Sequence, residues 1–392
     1  MAQDIVILSG ARTAIGTFGG SLAALPPTQL ATHVTKAAME RAGIDAAQIG
    51  HVVFGHVINT EPRDMYLSRV AAVEAGVPNE APAMNVNRLC GSGVQAIVSV
   101  AQSLMLGDAD FGLAGGAECM SRGPHIMQAA RWGQKMGDVG AIDMMIGALH
   151  DPFGAGHMGV TAENVAAEHG ISRADQDAFA VESQRRALAA IAAGYFAEQI
   201  APIGVKVKRD TVMFDTDEHA KATTIDVLAG LRTVFKKDGS VTAGNASGIN
   251  DGAGALVLAR ADAAAKAGLK PLARIVGYAH AGVRPEVMGI GPVPAVQALL
   301  ARTGMKASDF DVIESNEAFA AQACAVSKEL GLDPAKVNPN GGAIALGHPV
   351  GATGAIITIK ALYELQRTGG RFGLVTMCIG GGQGIALAIE RL

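Results

Sequence analysis

Three short words in the chain place a nucleophile, a base and a second thiol where glycine lets backbone and substrate come close. In Asn87, Arg88, Leu89, Cys90, Gly91, Ser92, Gly93 a cysteine falls between a short strand and the first turn of a helix. Unpaired backbone N–H groups and the positive end of the helix dipole favour a thiolate there, which predicts a lowered thiol pKa and oxyanion donors beside it. Free cysteines are often just small buried hydrophobes, but flanking glycines that admit a substrate favour a nucleophile. The second word, Asn338 to Gly354, is a glycine-dense, tight backbone path carrying His348 and Pro349. A histidine held in such a loop is a candidate general base for a cysteine. The third, Cys378 to Gly384, puts a second cysteine at the end of a strand and before a glycine run. That run suits a hairpin turn, while a thiol of near-neutral pKa at its entrance can give and take protons. Asn316, Glu317, Ala318, Phe319 closes a further strand, and the Asn316 amide can orient a water or donate to an oxyanion.

The elements that must position these words are legible as strands with helices between them. Strand-like runs occur at Ile5 to Leu8, His51 to Phe54, Phe111 to Ala114, Ala255 to Leu258, Ala273 to Val276, Asp311 to Ile313, Phe372 to Met377 and Ile385 to Ile389. After Cys90, the residues Val94, Ile97, Val98, Ala101 and Met105 form one stripe at helical spacing, and Ala355, Ile359 and Leu362 form another.

The chain is also written twice. Gly304 follows Gly43 by 261 residues, Phe372 follows Phe111 by 261, and the helix opening at Gly351 follows that at Gly91 by 260. Each helix opening is preceded by an Asn-x-Asn word, Asn85/Asn87 and Asn338/Asn340. A period this long is no solenoid repeat and predicts two similar α/β halves packed against each other. Residues from about 119 to 250, with the mixed-charge stretch Lys206 to Lys237, have no counterpart and read as an inserted loop domain covering a ligand.

Composition agrees with this reading and excludes others. A chain of 392 residues, 49% hydrophobic and 17% charged with 50 glycines, describes an Ala/Val/Ile/Leu core typical of a soluble α/β enzyme. The net charge of -4, with basic residues dispersed, predicts no nucleic-acid partner. Met1 to Val6 hold no basic stretch and Asp4 interrupts their apolar run, which argues against a secretory signal. No stretch reads as approaching the about 18 apolar residues of a membrane helix, so no membrane partner is expected. Cys90, Cys119, Cys324 and Cys378 lie far apart with no CxxC pair, arguing against zinc and a disulfide framework and for a reducing cytoplasm. Cys119 and Cys324 read as buried packing residues.

Taken together, the Cys90 word, Gly244, Asn245, Ala246, Ser247, Gly248, the Asn316 to Phe319 word, Gly341 to Gly354 and Cys378 to Gly384 resemble the thiolase family over essentially the whole chain. The resemblance implies the thiolase fold: two βαβαβαββ halves in an α-β-α-β-α core with an inserted loop domain. Residues 1–118 and 251–270 would form the N-terminal half, 119–250 the insertion and 271–392 the C-terminal half. It implies an acetyl-CoA C-acetyltransferase, reversibly condensing two acetyl-CoA to acetoacetyl-CoA through an acetyl group on Cys90. His348 would activate Cys90, Cys378 would act as acid and base at the substrate α-carbon, and Asn316 would hold an oxyanion-hole water. The N–H groups of Cys90 and Gly380 would form a second oxyanion hole. The His157 to Asn164 segment resembles the border of the acyl pocket in short-chain biosynthetic members, which places His157 and Met158 at the acyl group. Phe235, Ala243 and Ser247 match the pantetheine path, Ala318 and Phe319 lie with it, and Lys221 stands where the family usually has an arginine near the CoA phosphates. Coenzyme A and acyl-CoA are substrates, no cofactor or metal is expected, and the resemblance implies a homotetramer, a dimer of dimers with contacts from residues 120–150.

Two other readings compete. A decarboxylating ketoacyl synthase of the same fold has no need of Cys378 and puts a second histidine where Asn316 stands. A non-catalytic acyl-CoA or lipid carrier has little reason to keep both cysteines and His348.

Overall fold

The computed structural model describes residues 4–392; Met1 to Gln3, part of the stretch read against a leader, lie outside them. The first half runs β1 (Ile5–Arg12), α1 (Pro27–Ala42), β2 (Ile49–Gly55), α2 (Leu67–Glu74), β3 (Ala83–Val86), α3 (Ser92–Leu106) and β4 (Phe111–Cys119). Next come α4 (Met158–His169), α5 (Arg173–Ala192) and a hairpin of β5 (Ile203–Val207) with β6 (Asp210–Phe214), then β7 (Asn250–Arg260). The second half is β8 (Ala273–Gly282), α6 (Pro292–Thr303), β9 (Val312–Ser315), α7 (Ala320–Leu330), α8 (Thr353–Thr368), β10 (Phe372–Ile379) and β11 (Gln383–Arg391). Each strand expected from the sequence is present.

Strand order shows the duplication directly. One half-sheet reads β3-β2-β4-β7-β1 and the other β9-β10-β11-β8, joined where Val6 pairs Arg274 and Ile7 pairs Ala273. In both, β2 with β4 and β9 with β10 pair in parallel, and the strands that follow β4 and β10 in these orders pair antiparallel. Val337 bridges Ile313 in parallel, in the place that β3 takes beside β2. The helix starts at Ser92 and Thr353 are 261 residues apart, like the strand starts at Phe111 and Phe372. The offset of 260 read at the helix openings is therefore one short. Matching glycine to glycine slipped the register, and Gly351 is the counterpart of Cys90, not of Gly91.

Helices α3 and α8 lie side by side between the half-sheets, while α1 covers the outer face of β1, β4 and β7 and α6 that of β8 and β11. The layers are α-β-α-β-α. Val94, Ile97, Val98 and Ala101 of α3 and Ala355, Ile359 and Leu362 of α8 share one apolar cluster with Ile7 and Leu258 of one sheet and Ile385, Leu387 and Ile389 of the other. Each such Leu or Ile, fully buried, contributes about 1.5–3 kcal/mol before entropy is subtracted. A helix buried on both sides is apolar all round, and so Leu89–Leu106, 18 residues, has the length and composition to cross a membrane. That corrects the expectation that no stretch approaches this; here 56% of the segment is buried inside the protein. Met105, placed on the stripe by spacing, is 37% exposed near the helix end.

The insertion is more regular than its sequence suggested, with two full helices and a hairpin. It is fastened to β1 by Arg12, a buried guanidinium that donates to both carboxylate oxygens of Asp217 at 2.8 and 2.9 Å.

Candidate active site

Cys90 sits in the turn between β3 and α3, half-buried, with its own N–H and that of Gly380 directed at Sγ. Leu89 before it holds φ 45, a region that L side chains rarely adopt. Asn87 Oδ1 accepts the Leu89 N–H at 3.0 Å and helps hold this turn. The expected lowering of the thiol pKa is not found. Burial pushes Cys90 up to about 11, outweighing the two N–H donors, and the charge of Glu118 pushes the same way. The resting group is a thiol that needs a base.

A candidate base lines the same cavity. His348 is buried in the turn before α8 with Nδ1 2.6 Å from Thr353 Oγ1, and Thr353 in turn donates its hydroxyl to Pro349 O at 2.9 Å. Since a carbonyl only accepts, the hydroxyl proton is committed, Nδ1–H donates to Oγ1, and Nε2 is left as a lone pair with no protein partner. Burial lowers the ring pKa to about 4, so it is neutral at pH 7. The other half repeats the device: Ser92, equivalent to Thr353, donates to Leu89 O at 2.6 Å and accepts the Arg88 N–H at 2.8 Å.

Cys378 is the last residue but one of β10 and fully buried, within electrostatic reach of Cys90. Burial and the Cys90 thiol drive its pKa far up, which corrects the near-neutral value expected for it. The glycines after it do make the hairpin into β11, with Gly381 at φ 80 and Gly382 at φ 85, and its first residue is Gly380. Asn316 follows β9; its N–H donates to Thr376 O, and both ends of its buried amide lack a protein partner.

A cavity of about 280 Å³ joins these parts to the insertion; Cys90, His348, Gly380, His157, Met158, Phe235, Ala243, Ser247, Ala318 and Phe319 line it. His157 caps α4, Nδ1 accepting the Gly159 N–H at 3.0 Å, and its ring stacks on Phe235 at 4.7 Å between centroids. Gly159 makes room for the Phe235 ring, since a Cβ there would lie 2.2 Å from it. Burial and nearby His150 lower the His157 pKa. Asn316 and Cys378 do not line it: Cys378 packs against the lining residues Met158, Ala318 and Phe319, and Asn316 borders a separate small cavity with Pro349 and Thr353, while Lys221 is exposed, its backbone N–H donating to Gln184. A larger cavity of about 510 Å³ between α5 and α7 is lined in part by Cys324, which packs against the apolar cluster of Ala321 and Ala325 as expected but is only partly buried, whereas Cys119 is buried.

Three residues that contact the turns of the site are not singled out by the sequence. Thr353 lies within the Asn338 to Gly354 word, where spacing gives it no distinct part. Asn250, whose Oδ1 accepts the His348 N–H at 3.0 Å, follows a word that was singled out. Glu118 was a visible signal, a carboxylate closing the apolar run Phe111 to Cys119.

Comparison with known proteins matches residues 5–262 to the thiolase N-terminal domain and 269–391 to the thiolase C-terminal domain. Beta-ketothiolase BktB of Cupriavidus necator is 63% identical over 394 residues, covering 100% of both chains. The crystal structure of Bacillus anthracis acetyl-CoA acetyltransferase superposes with a TM-score of 0.98 at 45% identity, covering 100% of this chain and 99% of that one. Human mitochondrial 3-ketoacyl-CoA thiolase in complex with CoA gives 0.97 at 44%, covering 100% and 98%.

Proposed function

The chain belongs to the thiolase family, and from that premise we propose that it is an acetyl-CoA C-acetyltransferase working through an acetyl thioester on Cys90. The observation that carries this reading is the meeting, at one cavity, of a thiol with two N–H donors and a neutral histidine with a free Nε2, backed by a second buried thiol. Relatives named beta-ketothiolase and acetyl-CoA acetyltransferase support the substrate class.

The chemistry balances in two halves. His348 Nε2 takes the Cys90 proton, Sγ attacks the acetyl-CoA carbonyl with the Cys90 and Gly380 N–H groups receiving the oxyanion, and the departing CoA thiolate takes the proton of Cys378. This leaves acetyl-Cys90, free CoA, an imidazolium and a Cys378 thiolate of high proton affinity. That thiolate removes a methyl proton from the second acetyl-CoA, whose enolate oxygen faces His348 and a water on Asn316. The enolate carbon attacks the acetyl thioester, and Cys90 recovers its proton from His348.

The boundaries near 119, 251 and 271 remain part of this reading, supported by the end of β4 at Cys119 and the starts of β7 at Asn250 and β8 at Ala273, as does a cytoplasmic homotetramer. Exposed Trp132 and Met136, with Ile126, Met127, Ile142 and Ile146, support contacts from residues 120–150 in that assembly. The CoA phosphates are assigned to Lys221 or the neighbouring exposed cations of the insertion.

The test is incubation with acetyl-CoA, intact-mass measurement and peptide mapping. One acetyl group on Cys90 is expected; an acetyl on Cys119, Cys324 or Cys378 in its place overturns the assignment.

A further inference from the structure

Glu118 closes β4 with its carboxylate fully buried. Its oxygens accept the N–H groups of Val57 at 3.0 Å, Ile58 at 3.1 Å and Gly351 at 2.9 Å, and His56 Nδ1 lies 3.3 Å from Oε1. Burial pushes this carboxyl's pKa up. The three backbone partners are nonetheless all donors, which favours the ionised form, while His56 Nδ1 makes its own hydrogen bond to Ala117 O at 2.9 Å. His56 is buried too, with Nε2 4.0 Å from Asp64.

The duplication provides an internal control for this residue. The counterpart of Glu118 in the second half, 261 residues on, is Ile379, the last residue of β10. Each reaches across to the turn that opens the other half's central helix. A Cβ on Gly91 would lie 2.5 Å from Ile379 Cδ1, and one on Gly351 would lie 2.5 Å from Glu118 Oε2. The fold therefore accepts an aliphatic side chain in this place, where a carboxylate carries a desolvation cost that an isoleucine does not. What differs is the cargo of the facing turn: Ile379 faces the Cys90 turn, Glu118 the His348 turn.

We infer that Glu118 is a positioning residue for His348, pinning its turn through the Gly351 N–H from a strand of the opposite half. Asn250 at the start of β7, the strand paired with β4, holds the same turn at the His348 N–H. Two side chains on neighbouring strands of one half thus fix the base of the other. The inference rests on the roles proposed above for Cys90 and His348. Glu118 has a second effect, since its charge opposes ionisation of Cys90 until His348 takes the proton. The other titratable groups around that thiol, Cys378 of β10 and His348, are uncharged at pH 7.

The experiment compares the full-length wild type with Glu118→Gln and Glu118→Asp, by single-turnover acetylation of Cys90 from acetyl-CoA and by the pH dependence of Cys90 alkylation with iodoacetamide. Wild type that is not acetylated at Cys90 refutes the functional reading itself. With wild type labelled, Glu118→Gln should acetylate about 10²-fold more slowly at saturating acetyl-CoA, with half-saturation unchanged. Its alkylation midpoint should move to lower pH, because a buried negative charge beside the thiol is gone. Slower catalysis with a more acidic nucleophile is a pairing that simple loss of fold does not produce. Acetylation at the wild-type rate, or a midpoint that fails to fall, overturns the inference. Glu118→Asp decides the matter if the glutamine variant does not fold: slowed acetylation with the midpoint kept supports it, and the wild-type rate overturns it.

Discussion

Gly93 and Gly354, equivalent residues of the two halves, meet across the centre of the molecule. A Cβ on Gly93 would fall 2.4 Å from Ala355 N, and one on Gly354 would fall 2.3 Å from Val94 N. The first turns of α3 and α8 can approach this closely only as bare backbone. Their approach brings the turn bearing Cys90 and the turn bearing His348 to one end of the central layer, so the duplication is what brings the proposed nucleophile and its proposed base together.

Gly354→Ala should therefore destabilise the fold by about 1–3 kcal/mol or more, the usual result of overpacking, because the obstacle is backbone that cannot rotate aside. It should also slow acetylation of Cys90, since the two turns separate. Thermal unfolding measures the first effect, and a melting temperature equal to that of the wild type would show that the helices slide past the methyl.

Much of this site was legible in the sequence because glycine and cysteine leave strong local traces. The words around Cys90, His348 and Cys378 stand out in the sequence alone; Cys90 and His348 line the cavity, and Cys378 packs against its lining residues Met158, Ala318 and Phe319. What the sequence did not carry was environment. A helix N-terminus suggested a thiolate at Cys90, yet burial, which only tertiary structure sets, outweighs the N–H donors there. Glu118 and Asn250 were passed over for a similar reason, since their partners lie 233 and 98 residues away.

The two thiols should separate by the bond each handles. Cys378→Ala should still exchange its acetyl group with labelled CoA while condensation falls about 10²-fold or more, the effect of a missing acid and base. Cys90→Ala should lose both reactions. Acetyl-CoA/CoA exchange and deuterium exchange at the acetyl-CoA methyl in pre-acetylated enzyme resolve the two. Loss of CoA exchange in folded Cys378→Ala, with methyl exchange intact, would reverse the division of labour.

The pH dependence should carry the mark of a buried base. His348 is held at about 4 by desolvation, against about 6.5 for an ordinary histidine. As pH falls, the unfolded chain takes up this proton first. The stability tied to the neutral ring is thus present above about pH 6.5 and lost toward about pH 4. Nε2 stays available as a base over the same range, and Cys90, pushed up to about 11, adds no limb near neutrality. Acetylation of Cys90 should hold its rate down to about pH 5. A single-turnover profile with a limb near 6.5 contradicts this.

Met158 should restrict acyl length. Its Sδ lies 3.5 Å from the position a Cβ would take on Gly380, so it packs beside the proposed oxyanion donor, next to the His157 and Phe235 stack. Thiolysis by the wild type should favour C4 and C5 3-ketoacyl-CoA over the C10 substrate, and Met158→Ala should raise the C10 to C4 ratio. Faster wild-type turnover of the C10 substrate removes the basis for this wall.

Thr353 should act on His348 through the tautomer of its ring. With the hydroxyl proton held by Pro349 O, Oγ1 accepts from Nδ1, and the proton stays off Nε2. Valine keeps the shape and removes the acceptor. Without it the ring gains nothing by keeping the proton on Nδ1, and the tautomer with Nε2 protonated cannot take a proton from Cys90. Thr353→Val should slow acetylation of Cys90 by about 10- to 10²-fold, within the range attributed to a positioned base. Acetyl-CoA half-saturation should be little changed, since Thr353 does not line the cavity. Thr353→Ser restores the oxygen and should recover most of the rate, which a packing role for the methyl would not allow. Nitrogen NMR of the labelled histidine reads the tautomer independently: Nδ1 should carry the proton in the wild type and the serine variant, and the valine variant should lose that preference. If Thr353→Val acetylates at the wild-type rate with the proton still on Nδ1, another group sets the tautomer of His348.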